Sequence, residues 1–168
     1  MKRYIIILAA VAFVSLTSSG ADMAADLLKG LEGFQSSSYL CEAGRPTIGY
    51  GFTSRELVAK GYITRKEADK ELDRTCRAIA NKLHKELGAK TILAPHEEAA
   101  LVSFIFNVGW GNFKSSTMCA MLKKGVRGAA IGAEFHRWVY ITKNGRKVES
   151  RGLCKRRKKE AQMFLCGG

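Results

Sequence analysis

Three side chains in the first third of the chain are of types that could share one reaction. Glu32 closes a short apolar run containing Leu27, Leu28 and Leu31, and the glycine-rich stretch that follows holds Cys41 and Thr47. Desolvation at an apolar helix end favours the protonated form of a carboxyl group, the state an acid catalyst needs near neutrality. Cleaving a glycosidic bond takes such an acid beside the leaving oxygen, together with a second group that activates water or attacks the sugar from the other side. Taken alone, Glu32 reads more simply as a solvated helix-end carboxylate. Cys41 alone reads as half of a disulfide. With His84, His96 or His136 it would suggest a cysteine peptidase, a weak pattern because the histidines are scattered.

The elements that must position these residues follow from periodicity. Asp22 is expected to cap a short helix that ends at Gly33 and carries Glu32 at its C-terminal end. From Ser36 to Thr53, Tyr39, Leu40, Ile48, Tyr50 and Phe52 alternate with Gly44, Gly49 and Gly51, which predicts a small β hairpin or meander. Thr64 and Glu67 form a capping box, and Ala68, Leu72, Cys76, Ile79, Ala80 and Leu83 then sustain one long helix. Pro95 opens another that is apolar enough to run through the core, with Gly109 and Gly111 ending it. Short helices around Thr117 to Leu122 and Ala129 to Trp138 follow, then a polar break at Asn144-Gly145 and a last helix from about Ser150 to Leu165. The fold class is therefore α+β, with a small N-terminal β element joined by a long helix to a mainly helical C-terminal lobe, the two lobes flanking a groove.

A chain of 168 residues with 46% hydrophobic content suits one globular domain plus an appended segment. The formal charge of +13 favours an anionic partner without choosing among nucleic acid, acidic membrane and wall polymers. Its densest part runs from Lys143 to Lys159, where a solvated helix face is the simplest reading and a polymer-binding surface the sharper one. No groove-reading motif accompanies it, so no specific nucleic acid is expected.

Lys2 and Arg3 precede the apolar run from Tyr4 to Leu16, and Ser19-Gly20-Ala21 supplies small residues after it. Residues 1–21 thus read as an export signal cut before Asp22, or as an uncleaved anchor, since about 20 residues can span a bilayer. Either way the charge asymmetry puts the N-terminus in the cytoplasm and residues 22–168 outside the inner membrane, in the periplasm. All five cysteines lie in the exported part, where disulfides can form. By arithmetic, Cys76, Cys119, Cys154 and Cys166 are expected to pair, with three pairings open, leaving Cys41 as a thiol. There is no Cys-x-x-Cys and no His-Glu-x-x-His, so neither a metal nor another cofactor is expected.

The spacing Glu32, eight residues, Cys41, five residues, Thr47 resembles the Glu-x8-Asp/Cys-x5-Thr pattern of the phage-type lysozymes, glycoside hydrolase family 24. Leu31-Glu32-Gly33-Phe34 and Pro46-Thr47-Ile48-Gly49-Tyr50-Gly51 resemble that family's catalytic segment, and Phe106-Asn107-Val108-Gly109-Trp110-Gly111 its core helix and following turn. Arg137-Trp138-Val139-Tyr140, Gly152-Leu153 and Arg156 to Glu160 resemble its C-terminal pattern, so the likeness spans about residues 22–167.

The resemblance implies a monomeric enzyme whose catalytic domain hydrolyses the β-1,4 bond between N-acetylmuramic acid and N-acetylglucosamine in peptidoglycan. It casts Glu32 as acid, Thr47 as holder of the attacking water, Cys41 at a position more often Asp, and Asn107 as a cleft-lining, substrate-binding residue. It also implies an inverting reaction, and for residues 1–21 the behaviour of signal-anchor-release endolysins. Two features depart from the commoner pattern. A Cys thiol has an ordinary pKa near 8.5, and Phe52 stands where many relatives carry His. The rival function is an exported basic envelope- or nucleic-acid-binding protein that keeps the fold without catalysis. Trp110, Phe113 and Trp138 read as packing residues before sugar platforms.

Overall fold

A computed structural model describes residues 18–41, 44–143 and 145–166. The expected apolar run from Tyr4 to Leu16 lies outside the described residues. The elements are α1 (Gly20–Glu32), β1 (Gln35–Leu40), β2 (Pro46–Gly49), α2 (Arg55–Ala59), α3 (Arg65–Leu87), α4 (Pro95–Val108), α5 (Trp110–Lys114), α6 (Thr117–Lys123), α7 (Ala129–Phe135), β3 (Tyr140–Lys143), β4 (Arg146–Glu149) and α8 (Arg151–Cys166). The α+β expectation is met: two antiparallel hairpins, β1-β2 and β3-β4, accompany a predominantly helical body.

Two cores sit side by side. One holds Ala21, Ala24, Ala25, Leu28, Ile48, Tyr50, Phe52, Ala68, Leu72, Cys76 and Val102, gathered from α1, the first hairpin and the N-terminal parts of α3 and α4. The other gathers Leu83, Leu101, Phe104, Phe113, Leu122, Ile131, Phe135 and Phe164. Helix α3 crosses from the first to the second, because Ala68, Leu72, Cys76 and Ala80 face one and Leu83 and Leu87 the other. The expected long connecting helix is therefore present, opened by the Thr64/Glu67 capping box. Helix α4 runs between the cores with Pro95 in its first turn and seven buried residues from Ala99 to Ile105, which is why its sequence is apolar almost all round.

Four details differ from the sequence reading. The cap of α1 is Ser19, whose hydroxyl accepts from the Asp22 amide; Gly20 and Ala21 extend the buried face of the helix, so it starts ahead of Asp22. Gly109, at φ +87°, ends α4, but Gly111 lies inside α5. The polar break near Gly145 is the turn of the β3-β4 hairpin, whose eight strand residues are all exposed and so lack the inward-outward alternation that marks a strand. The expected disulfides among Cys76, Cys119, Cys154 and Cys166 are not formed. Cys76 is sealed in the first core and Cys119 in the second, where packing, not bridging, explains a small apolar side chain. Burial pushes the Cys76 thiol up to about 12 and raises that of Cys119.

Candidate active site

Glu32 is the last residue of α1 and is held from three sides. Its helix docks through Ala21, Ala24, Ala25 and Leu28, and ends because Gly33 turns to φ +69°. Gly51, at φ +92°, brings bare backbone alongside: a Cβ there would stand 3.6 Å from Glu32 Oε2. From α8, Arg156 Nη1 donates to Glu32 Oε1 in an ion pair. The Glu32 side chain is 22% exposed and that of Arg156 8%, so this pair is largely shielded from solvent.

Cys41 and Thr47 meet through a single carbonyl. In the hairpin Tyr39 pairs with Thr47 and Leu40 with Pro46. Just beyond the strand, the Cys41 amide donates to Arg45 O at 3.0 Å. Thr47 Oγ1 donates to the same oxygen at 2.9 Å. Thr47 is buried and Cys41 half-buried. With its own proton committed to Arg45 O, the Thr47 hydroxyl keeps lone pairs that can accept from a water.

Asn107, near the end of α4, accepts from Arg157 Nη2 through Oδ1. It lines two grooves: one with Asn112, Glu134, Trp138, Tyr140 and Lys147, and another with Gly30, Leu31, Ile141, Lys155 and Arg156. The second reaches the turn of α1 that precedes Glu32. Neither groove is lined by Glu32, Cys41 or Thr47, which stand on the adjoining helix end and hairpin. The structure thus ties Cys41 to Thr47 through Arg45, and Glu32 to the Asn107 region through the neighbouring arginines of α8.

The aromatic residues sort as packing expects, with one addition. Phe113 is fully buried, and Trp110 tilts against it at 5.8 Å. Trp138 packs edge-on against Phe104 at 5.5 Å while also lining a groove. Phe52 makes an edge contact with Phe106 at 6.5 Å between the first hairpin and α4. His84 Nε2 lies 2.7 Å from Glu98 Oε2 across the α3-α4 junction.

Sequence reasoning missed the role of three residues. Arg156, Arg157 and Glu160 are buried, so the solvated-face reading of the basic run fails for them, while Lys155, Lys158 and Lys159 keep it. The available signal was helical spacing: Arg156, Arg157 and Glu160 share a face with Leu153, Ala161 and Phe164.

Residues 29–160 match the family model for phage lysozyme. The chain belongs to the phage lysozyme family. An endolysin of Acyrthosiphon pisum secondary endosymbiont phage 1 is 33% identical to it over 138 residues, covering 82% of this chain and 92% of that protein. A SAR-endolysin of Bacteriophage PS119 is 30% identical over 159 residues, covering 94% of this chain and 87% of its own. Among solved structures, the endolysin from Escherichia coli O157:H7 phage FAHEc1 superposes with a TM-score of 0.75 at 27% identity, covering 87% of this chain and 92% of the other. The family resemblance carried by the Glu32, Cys41 and Thr47 motif is met, and with it the enzyme class, lysozyme.

Proposed function

We propose that Glu32, Thr47 and Cys41 carry out the glycosidic cleavage by which this endolysin hydrolyses peptidoglycan. Glu32 gives its proton to the glycosidic oxygen as the bond from that oxygen to C1 of N-acetylmuramic acid breaks, the electron pair leaving with the oxygen. A water accepted by the Thr47 hydroxyl adds to C1 from the opposite face, its proton passing to Cys41 acting as a thiolate base and from there to solvent. Asn107 lines the approach to the acid. The observation that carries this reading is the shared Arg45 carbonyl, which fixes the Thr47 hydroxyl and the Cys41 backbone to one point on the first hairpin. No observation favours the non-catalytic binder.

The purified Glu32→Gln variant tests the assignment. Loss of turbidity clearing and of reducing-end release by about 10²–10⁴-fold is expected, with folding unchanged, because the substitution removes the transferable proton and little volume. Near-normal activity would remove Glu32 from the mechanism. Cys41→Ser should be nearly inactive, whereas Cys41→Asp should keep substantial activity.

The N-terminal segment serves, in this reading, first as an inner-membrane anchor and then leaves the bilayer uncleaved, giving a monomeric periplasmic enzyme. The relatives that are SAR-endolysins support it. So does the seat of residues 19–21: Ser19 caps α1, and Gly20 and Ala21 are buried in its docking face. Cutting before Asp22 would strip these from the folded domain. Mass determination of the soluble periplasmic protein decides the point, since a chain beginning at Asp22 would overturn retention and one beginning at Met1 or Lys2 would uphold it.

A further inference from the structure

Behind Glu32 lies a polar chain that the reaction above does not use. Glu160 Oε1 accepts from Ser103 Oγ at 2.7 Å and from Arg156 Nε at 3.0 Å. Arg156 spreads its remaining nitrogens: Nη2 donates to Ser103 O at 3.2 Å, and Nη1 pairs with Glu32. Glu160 Oε2 stands 2.8 Å from Arg157 Nη1 as an ion pair that is out of line for a hydrogen bond. The Arg157 guanidinium lies 4.8 Å over the Phe104 ring, and both Arg157 and Glu160 are completely buried.

A buried carboxylate is costly unless it is paired, so its presence needs a reason. The groups facing Glu160 are Arg156 and Arg157 on its own helix and the uncharged Ser103 on α4. Glu32 is met by Arg156 and, further off, by Arg157, both from α8, and by the backbone of Gly51. The cluster therefore holds two guanidiniums and two carboxylates, and only one of the carboxylates takes part in catalysis.

An acid catalyst must carry its proton before the reaction, and in that state Glu32 no longer balances Arg156. Burial pushes the Glu160 carboxyl up, against the pull of Arg157 and Arg156, and as the carboxylate paired to both it is the counter-charge that remains. Without it, two buried cations would face Glu32 alone, and the ionised form, which cannot donate, would be held in place. We propose that Glu160 is a positioning and charge-balancing residue for Glu32, acting through Arg156: it aims the guanidinium at the acid while offsetting its charge. This rests on the reading of Glu32 as the acid.

The test uses the full chain and soluble peptidoglycan oligomers, with kcat and KM measured across pH. Glu160→Gln keeps an oxygen for Ser103 and Arg156 but removes the charge. The expected result is a fall in kcat of about tenfold or more with KM little changed, and displacement of the alkaline limb of activity to lower pH by about one unit. A uniform loss at every pH, or a change in KM alone, would show a structural role and overturn the proposal. Should Glu160→Gln fail to fold by near-ultraviolet circular dichroism, Arg157→Gln carries the test: removing a cation should move the alkaline limb to higher pH, and an unmoved limb overturns the proposal. Glu32→Gln, run alongside, separates the two readings. If that variant is dead and the limb does not move, only the role of Glu160 falls; if it is active, the acid assignment falls first.

Discussion

The two cores of this lysozyme are built from different materials. Around α1 and the start of α3 alanine is the commonest filling, with Ala21, Ala24, Ala25, Ala68, Ala80 and Ala99 buried beside Leu28, Ile48, Tyr50 and Phe52. Across α3 and α4 the filling is aromatic, with Phe104 edge-on to Phe135 at 5.3 Å, Phe135 tilted against Phe164 at 5.9 Å and Phe113 tilted against Trp110 at 5.8 Å. Small side chains let helix backbones approach closely but bury little apolar area each; large rings bury 150–250 Å² apiece in general. The first arrangement fixes where Glu32 stands. The second supplies most of the cohesion on which that placement rests.

The difference can be broken from either side. Phe104→Ala, which removes the ring that meets Phe135, Trp138 and Arg157, should cost about 3–5 kcal/mol of stability in urea unfolding. A loss under 1 kcal/mol would mean that the aromatic core is not the main support. Gly20→Val attacks the alanine side. An added Cβ at Gly20 would stand 2.6 Å from Glu98 Cβ and 2.7 Å from Pro95 O, so α1 must lift away from the start of α4. Overpacking of this kind costs about 1–3 kcal/mol, and wall hydrolysis should fall by more than stability alone explains because Glu32 rides on the displaced helix. Equal losses of activity in Gly20→Val and in an equally destabilised aromatic-core variant would erase the distinction.

A smaller effect sharpens the same contrast through the cysteines. With its thiol pushed up to about 12 by burial, Cys76 stays protonated in the folded protein while an unfolded chain ionises nearer 9. The raised value contributes stability that is complete below about 9 and is lost as pH climbs toward about 12. A thiol reagent under mildly alkaline conditions should label exposed Cys166 at once and Cys76 only at the rate of unfolding. Rapid labelling of Cys76 in folded protein would show that the alanine core opens locally.

Legibility followed burial. Helices α3 and α4 were readable because their caps and apolar spacing are strong local signals, and the family because Glu32, Cys41 and Thr47 stand at a fixed spacing on one helix end and hairpin. The start of α1 was not readable: Ser19, Gly20 and Ala21 have the composition of a signal-peptide exit as well as of a close helix contact. The β3-β4 hairpin was missed because exposed strands such as Tyr140–Lys143 carry no alternation. Arg156, Arg157 and Glu160 were hidden in a basic run, since charge normally argues for solvent and only the partners in α1 and α4 reverse that argument.

The ion pair between Glu32 and Arg156 joins residues 124 positions apart. Glu32 closes α1, the first described helix, and the guanidinium that meets it belongs to α8, the last. Completion of the surroundings of Glu32 is therefore an event in time as well as in space. A chain interrupted anywhere before α8 carries the whole Glu32, Cys41 and Thr47 motif yet lacks Arg156 and its counter-charge. Possession of the motif and possession of the finished site are separate milestones in the life of each molecule.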